Sequence, residues 1–311
     1  MIVSPGVDEL VERTVKDWSP MTMHANELVI DEALVRRLVA EQFPEWAELP
    51  LRRVLPEGTE HAIFRLGNQL MVRLARRDGP TKPGGKEFDW LPRLAPLLPL
   101  EVSVPIAQGR PSGDFPWFWQ VHTWIEGAVV PVDETDTIQA ANDLARVIKA
   151  MQQVDPTGAP TGRGRPLAAL DKAFRYWLDR FDGDPRVLEV WERALATSPW
   201  LGRPVWHHGD LDPRNWIVRD GRIIGLIDWE AMGVGDPACD LMVAWKLHSG
   251  VAREAFQAAL PFDEATWERA RGWVVSQSVA ALAYYTPTNN PRLYHEAESW
   301  LALVLSEDPA G

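Results

Sequence analysis

The chain has 311 residues, enough for two lobes with separate cores. Its net charge of −12, from 44 acidic against 32 basic residues, argues against nonspecific binding to nucleic acid or to an anionic membrane and suits a cationic partner. A single cysteine, Cys239, excludes an internal disulfide. With no apolar signal segment in Met1–Trp18 and no run of the roughly 18 apolar residues that span a bilayer, the expected location is the cytoplasm.

Residues 1–30 read as an N-terminal extension with a short helix at Val7–Trp18 and no assigned function. Asp31–Phe43 reads as an amphipathic helix, with Asp31 as its N-cap and Leu34, Val35, Leu38 and Val39 on one face. Leu51–Leu55, Ala62–Leu66 and Gln69–Leu74 read as strands, joined by 56–61 and by Gly67-Asn68. Gly58 is the single glycine of the first turn, so no glycine-rich phosphate fingerprint is present. The third strand carries Arg73. Glu87 stands 14 residues later, ahead of a helical run to Leu97 that Pro92 interrupts. By themselves these two are equally a surface strand residue and a first-turn helix charge favoured by the dipole. Val102–Ala107 and Pro116–Ile125 complete five strands, and Gly127–Asp133 reads as a boundary.

From Asp136 the chain becomes helical, with Ile138, Ala141, Ala145 and Ile148 at helical spacing. Asp155–Pro166 is rich in proline and glycine and reads as a loop. Further helices follow around Leu170–Phe181, after Pro185, and over Asp240–Leu247, Arg253–Leu260, Thr266–Tyr284 and Arg292–Leu305. Acidic side chains at Asp179, Asp182, Asp184, Glu230, Glu264, Glu268, Glu296 and Glu298 are scattered through this half. Most read as solvated helix faces.

The chemistry concentrates in Val205–Trp245. A polar loop, His208–Asn215, precedes two β-prone runs, Trp216–Arg219 and Arg222–Ile227. They are joined by Asp220-Gly221, a pair suited to a tight hairpin whose turn residues take positive φ. The hairpin returns the chain so that Asp228 comes near Asp210 and Asn215. An aspartate that accepts a hydroxyl proton, beside an asparagine and an aspartate offering hard oxygen ligands to Mg2+, suits phosphoryl transfer. Asp212 and Arg214 bracket Pro213 beside the base, and Arg214 is expected to point to solvent.

The order HGDxxxxN, hairpin, IDWE and GDPAxDL resembles the aminoglycoside phosphotransferase family, relatives of choline kinases and of protein kinases. The resemblance is strong over 205–245 and weaker over the rest of 50–305. It implies a two-lobe α+β protein-kinase-like fold: an N-lobe over 31–127 with a five-stranded antiparallel sheet and helices, and a mainly helical C-lobe over 128–311 carrying the catalytic hairpin. It also implies Asp210 as the catalytic base, Asn215 and Asp228 as Mg2+ ligands, and His208, Asp236 and Asp240 as structural support. Gly58 and Thr59 would then lie in the nucleotide-positioning loop. Arg73 would stand where relatives carry a lysine for the phosphates, paired with Glu87, and the Thr123 carbonyl and Ile125 amide would read the nucleobase. Arginine keeps the charge of that lysine but not its shape.

The function so implied is transfer of the γ-phosphoryl group of ATP or GTP, with Mg2+, to a small-molecule hydroxyl. The acceptor would be an aminoglycoside or another hydroxylated antibiotic, cationic in the first case, with Glu230 as a candidate contact. Two alternatives stand beside it: a kinase of an ordinary metabolite such as an amino alcohol or sugar derivative, and a nucleotide-binding pseudokinase that regulates a partner.

Overall fold

In the computed structural model the described residues are 28–54, 61–77, 79–130, 135, 137–247 and 249–307. The expected helix at Val7–Trp18, the turn residues Gly58 and Thr59, and Asp133 and Asp136 lie outside them. The chain divides into two units. One reaches to Pro96 and resumes over Glu101–Glu126; the other comprises Leu97–Leu100 and the chain from Gly127 onward.

The first unit begins with helix α1 (Glu32–Gln42), where the Asp31 carboxylate accepts the Leu34 N–H at 2.8 Å. That bond satisfies one of the orphan donors of the first turn. Strands β1 (Leu51–Arg53), β2 (His61–Leu66), β3 (Leu70–Ala75), β5 (Pro105–Gly109) and β6 (Trp119–Thr123) form an antiparallel sheet in the order β1-β2-β3-β6-β5. A short strand, β4 (Glu101–Val102), precedes β5. Side chains alternate along β2, so Ala62, Phe64 and Leu66 are buried while His61, Ile63 and Arg65 take the other face. The buried face joins Val72, Leu74, Trp119 and Val121 with Leu34, Val35, Leu38 and Val39 of α1 into one core. The opposite face carries Arg73, with Ile63 and Gln120 as its cross-strand neighbours. Helix α2 (Lys86–Leu94) starts two residues earlier than its apolar pattern and runs through Pro92 rather than stopping there. Glu87 therefore lies in its first turn.

The second unit holds α3 (Thr137–Gln153), α4 (Asp171–Leu178), α5 (Arg186–Ala196), α6 (Ala238–Leu241), α7 (Gly250–Ala259), α8 (Glu264–Tyr284) and α9 (Pro291–Ser306). Helix α8 packs against α4, α5, α6 and α9. Its apolar residues surround it instead of forming a stripe, as a helix enclosed by neighbours requires. Two small β elements interrupt the helices. β7 (Val205–His207) pairs antiparallel with β10 (Gly233–Gly235), and β8 (Trp216–Arg219) forms a hairpin with β9 (Arg222–Leu226). The hairpin turns on Asp220 at φ 53° and Gly221 at φ 72°. Both angles are positive, as a two-residue turn matched to strand twist demands.

Candidate active site

The His208–Asn215 loop leaves β7 through Gly209, whose φ is 85° and where a Cβ would lie 2.5 Å from the Ala231 carbonyl oxygen. Only glycine fits both constraints. Beneath the loop, the two oxygens of Asp240 accept the backbone N–H groups of His208 and Gly209 at 2.8 and 2.7 Å. Burial pushes the Asp240 carboxyl up to about 7 against the pull of these donors. The His208 ring bridges the Ile227 carbonyl through Nε2 (3.1 Å) and the Asp210 N–H through Nδ1 (3.1 Å). One ring nitrogen faces an acceptor and the other a donor, which specifies a neutral imidazole with the proton on Nε2. Burial lowers its pKa beyond what the Asp210 and Asp228 charges restore. His208 thus ties the loop to the end of the β9 strand through these two bonds.

Asp212 caps a short 3₁₀ turn over Pro213–Asn215, which swings Asn215 back over the loop. Asn215 Nδ2 donates to the Asp210 carbonyl at 2.9 Å and to Asp210 Oδ2 at 3.1 Å. The Ile227 N–H donates to the Asn215 carbonyl at 3.0 Å, fastening the end of β9 to the loop. The next residue, Asp228, is exposed and sits at φ 61°, a left-handed conformation that non-glycine residues seldom adopt and that concentrates at functional sites. Asp210, Asn215 and Asp228 therefore converge. With Nδ2 committed to Asp210, the amide oxygen of the buried Asn215 and the exposed Asp228 carboxylate are the oxygens left for a ligand. That hard-oxygen set fits Mg2+.

Residues 52–273 match the model of a phosphotransferase enzyme family. The chain belongs to that family. Among curated relatives, the viomycin phosphotransferase of Streptomyces vinaceus is 28% identical over 203 residues, which cover 60% of this chain and 69% of that protein. An aminoglycoside 3′-phosphotransferase of Escherichia coli is 35% identical over a shorter stretch of 57 residues, 18% of this chain and 21% of that one. A GDP complex of an aminoglycoside 2′-phosphotransferase variant superimposes with a TM-score of 0.67 at 14% identity, over 89% of this chain and 97% of its own. A macrolide 2′-phosphotransferase from Brachybacterium faecium gives 0.56 at 25% identity, over 89% and 97%. The fold is the α+β, protein-kinase-like fold of these phosphotransferases, and the chain is a phosphotransferase enzyme.

In this phosphotransferase Asp236 is structural in a plain sense. It accepts the Ala238 N–H at 3.0 Å, starting α6, and pairs with the buried Arg269 at 2.6 Å. Cys239 is fully buried, and burial raises its thiol well above its ordinary value, so it is an inert packing residue. In the first unit the structure joins Arg73 to Glu87 at 2.8 Å, both largely shielded from water. Arg73 also approaches His61 Nδ1 at 3.4 Å. The Thr123 carbonyl accepts the Ser103 hydroxyl at 2.8 Å, so one of its lone pairs is already used. Ile125 is buried, and its N–H has no partner among the described residues. Glu230 is exposed two residues beyond Asp228.

Two features of the second unit escaped the sequence. Arg214 does not simply point to solvent: its Nε donates at 2.7 Å to the buried Asp212, whose other oxygen takes Lys246 Nζ at 2.9 Å. Nor is Asp155–Pro166 merely a loop. Its segment 160–164 is laid along β10, with the Pro160 carbonyl accepting from Val234, the Arg163 N–H donating to Ala231, and the Gly164 carbonyl accepting from Asp236. A Cβ on Gly164 would lie 2.7 Å from the Asp236 carbonyl oxygen. This strap puts Arg163 Nη1 2.6 Å from Asp210 Oδ1. Burial alone would raise the Asp210 carboxyl, but the Arg163 and Lys246 charges outweigh it and hold the group below its ordinary value. The available signal was the alternation Gly162-Arg163-Gly164, glycines spaced to let backbone approach backbone on either side of one cation.

Proposed function

We propose that this phosphotransferase moves the γ-phosphoryl group of ATP or GTP to a hydroxyl of a small molecule, an aminoglycoside or another hydroxylated antibiotic. The observation that carries this reading is the convergence of Asp210, Asn215 and Asp228 on one loop and one hairpin end. Asp210 takes the proton of the acceptor hydroxyl. The acceptor oxygen forms a bond to the γ-phosphorus as the bond from that phosphorus to the β–γ bridging oxygen breaks, and the nucleoside diphosphate departs. Asn215 keeps the base oriented through its bond to Oδ2. Asn215 Oδ1 and Asp228 would hold Mg2+, which when bound neutralises phosphate charge. Arg73, steadied by Glu87, is the candidate cation for the nucleotide phosphates, and the Ile125 amide and Thr123 carbonyl are the candidates for the base. Catalysis here is mainly positioning and electrostatics.

The antibiotic reading draws on the viomycin, aminoglycoside and macrolide phosphotransferases among the similar proteins. A cationic acceptor is not required by the charges. Asp184 pairs with Arg186, Glu268 with Arg193, Glu296 with Arg292 and Glu298 with His295, so these carboxylates already have partners. Glu230 keeps its proposed place as an acceptor contact. The intact base and its hydrogen bonds stand against a purely regulatory role.

The test is nucleoside diphosphate release by the purified protein with Mg-ATP and Mg-GTP against viomycin, aminoglycosides, macrolides and simple amino alcohols, with Asp210→Ala as the blank. Release that depends on an antibiotic and vanishes in the variant supports the proposal. Release only with an amino alcohol would replace it with metabolite phosphorylation.

A further inference from the structure

Three cations bear on Asp210: Arg163, Lys246 and Arg214. Two of them are committed elsewhere. Lys246 is 1% exposed and engages Asp212, Gln277 and the face of Trp300. Arg214 is bonded to Asp212. Arg163 differs. Its side chain is 34% exposed, and its single hydrogen bond among the described residues is the one from Nη1 to the base. A guanidinium is a planar fork of N–H donors, so the rest of the fork stands open beside the oxygen that must receive the acceptor's proton.

The surrounding backbone is organised for this placement. Segment 160–164 is held by backbone hydrogen bonds to Ala231, Val234 and Asp236, and by the Gly164 N–H to His207 Nε2 at 3.1 Å. A partly exposed ion pair adds little stability by itself, and a cation on a general base weakens that base. The arrangement makes chemical sense if the cation has a second task. During transfer, negative charge spreads over the equatorial oxygens of the phosphoryl group, which pass next to the base because the attacking oxygen lies between them. As Asp210 takes the proton it loses its charge, and with it its hold on Arg163.

We propose that Arg163 is a further catalytic residue: its guanidinium, parked on Asp210 in the free enzyme, binds the transferring phosphoryl oxygens as the acceptor proton reaches Asp210. The proposal rests on the phosphotransfer reading of this site. It assigns Arg163 to the phosphoryl group in flight and not to the nucleotide's resting phosphates.

The test compares wild type with Arg163→Gln and Arg163→Lys in turnover, and in the affinity of Mg-ADP and of Mg-ADP with aluminium fluoride, a mimic of the phosphoryl group in transfer. The expected result for Arg163→Gln is a kcat lower by about 100-fold or more, a nucleotide KM within about threefold, unchanged ADP affinity, and loss of the extra affinity for the fluoroaluminate complex. Arg163→Lys should recover part of both, and added guanidinium should rescue Arg163→Ala. A kcat within about threefold of wild type, or equal weakening of ADP and of its fluoroaluminate complex, would overturn it. A wild-type protein that binds neither form would instead sink the phosphotransfer reading, and the proposal with it. Thermal melts of each variant separate loss of function from loss of fold.

Discussion

Lys246 Nζ lies 2.9 Å from Asp212 Oδ2, and neither side chain reaches water. Burial alone would raise the Asp212 carboxyl; Lys246 and then Arg214 reverse this and hold it far below its ordinary value. The pair anchors the His208–Asn215 loop from within, two residues from Asp210.

Breaking such a pair strands a buried charge, which costs roughly 3–5 kcal/mol. Lys246→Met should lower stability by an amount toward the lower end of that range, because Arg214 still serves Asp212. The double variant Lys246→Met with Asp212→Leu should be more stable than Lys246→Met alone. A depressed carboxylate contributes stability above its unfolded pKa and loses it as pH falls through the folded value. Wild-type stability should therefore decline below about pH 4, and less steeply in the double variant. Urea unfolding at several pH values measures both effects.

His61 and His122 are each held at about 3, first by burial and then by the Arg73 charge. Neither should titrate between pH 5 and 8 in an NMR titration of the ring protons. Arg73→Met removes one cause and should move both upward. Because the unfolded chain binds protons at these histidines below about pH 6.5 and the folded one does not, they make stability rise with pH up to that value. Titration of either ring in the wild type near pH 6.5 would contradict the burial account.

Asp210→Asn keeps the shape of the proposed base and removes its basicity. Turnover should fall by roughly 10²–10⁴, the range of general-base contributions, with little change in melting temperature since the side chain is 26% exposed. Diphosphate release and a thermal melt on one preparation check both. Substantial residual transfer would remove Asp210 from the role of base.

Two glycines with positive φ should respond differently to alanine. Gly221 at φ 72° has no atom within 4 Å of a Cβ, so Gly221→Ala should cost about 1 kcal/mol from backbone strain and leave turnover intact. Gly209 at φ 85° adds a collision with the Ala231 carbonyl. Gly209→Ala should displace the loop and abolish turnover even where the protein stays folded, as circular dichroism beside the assay would show.

Much of the local structure around the candidate site was legible because it is set by near neighbours in sequence. The Asp220-Gly221 turn, the Asp31 cap and the spacing from His208 to Asn215 each follow from rules spanning a few residues, and each appears in the structure as read. Helix α8 was found from its apolar run, although its central position erased the stripe that usually reveals a helix face. Pro92 was expected to interrupt α2, yet the helix continues through it.

The sequence by itself determined the family and the reaction class, and it singled out Asp210, Asn215 and Asp228 as the candidate site residues. Only the tertiary structure decided what surrounds them. Arg163 meets Asp210 across 47 residues, Lys246 meets Asp212 across 34, and Asp240 reaches the His208 amide across 32. Such pairings depend on where the chain returns in space. A buried cation and a half-buried one read alike in a sequence; their surroundings alone tie Lys246 to Asp212 and set Arg163 on Asp210.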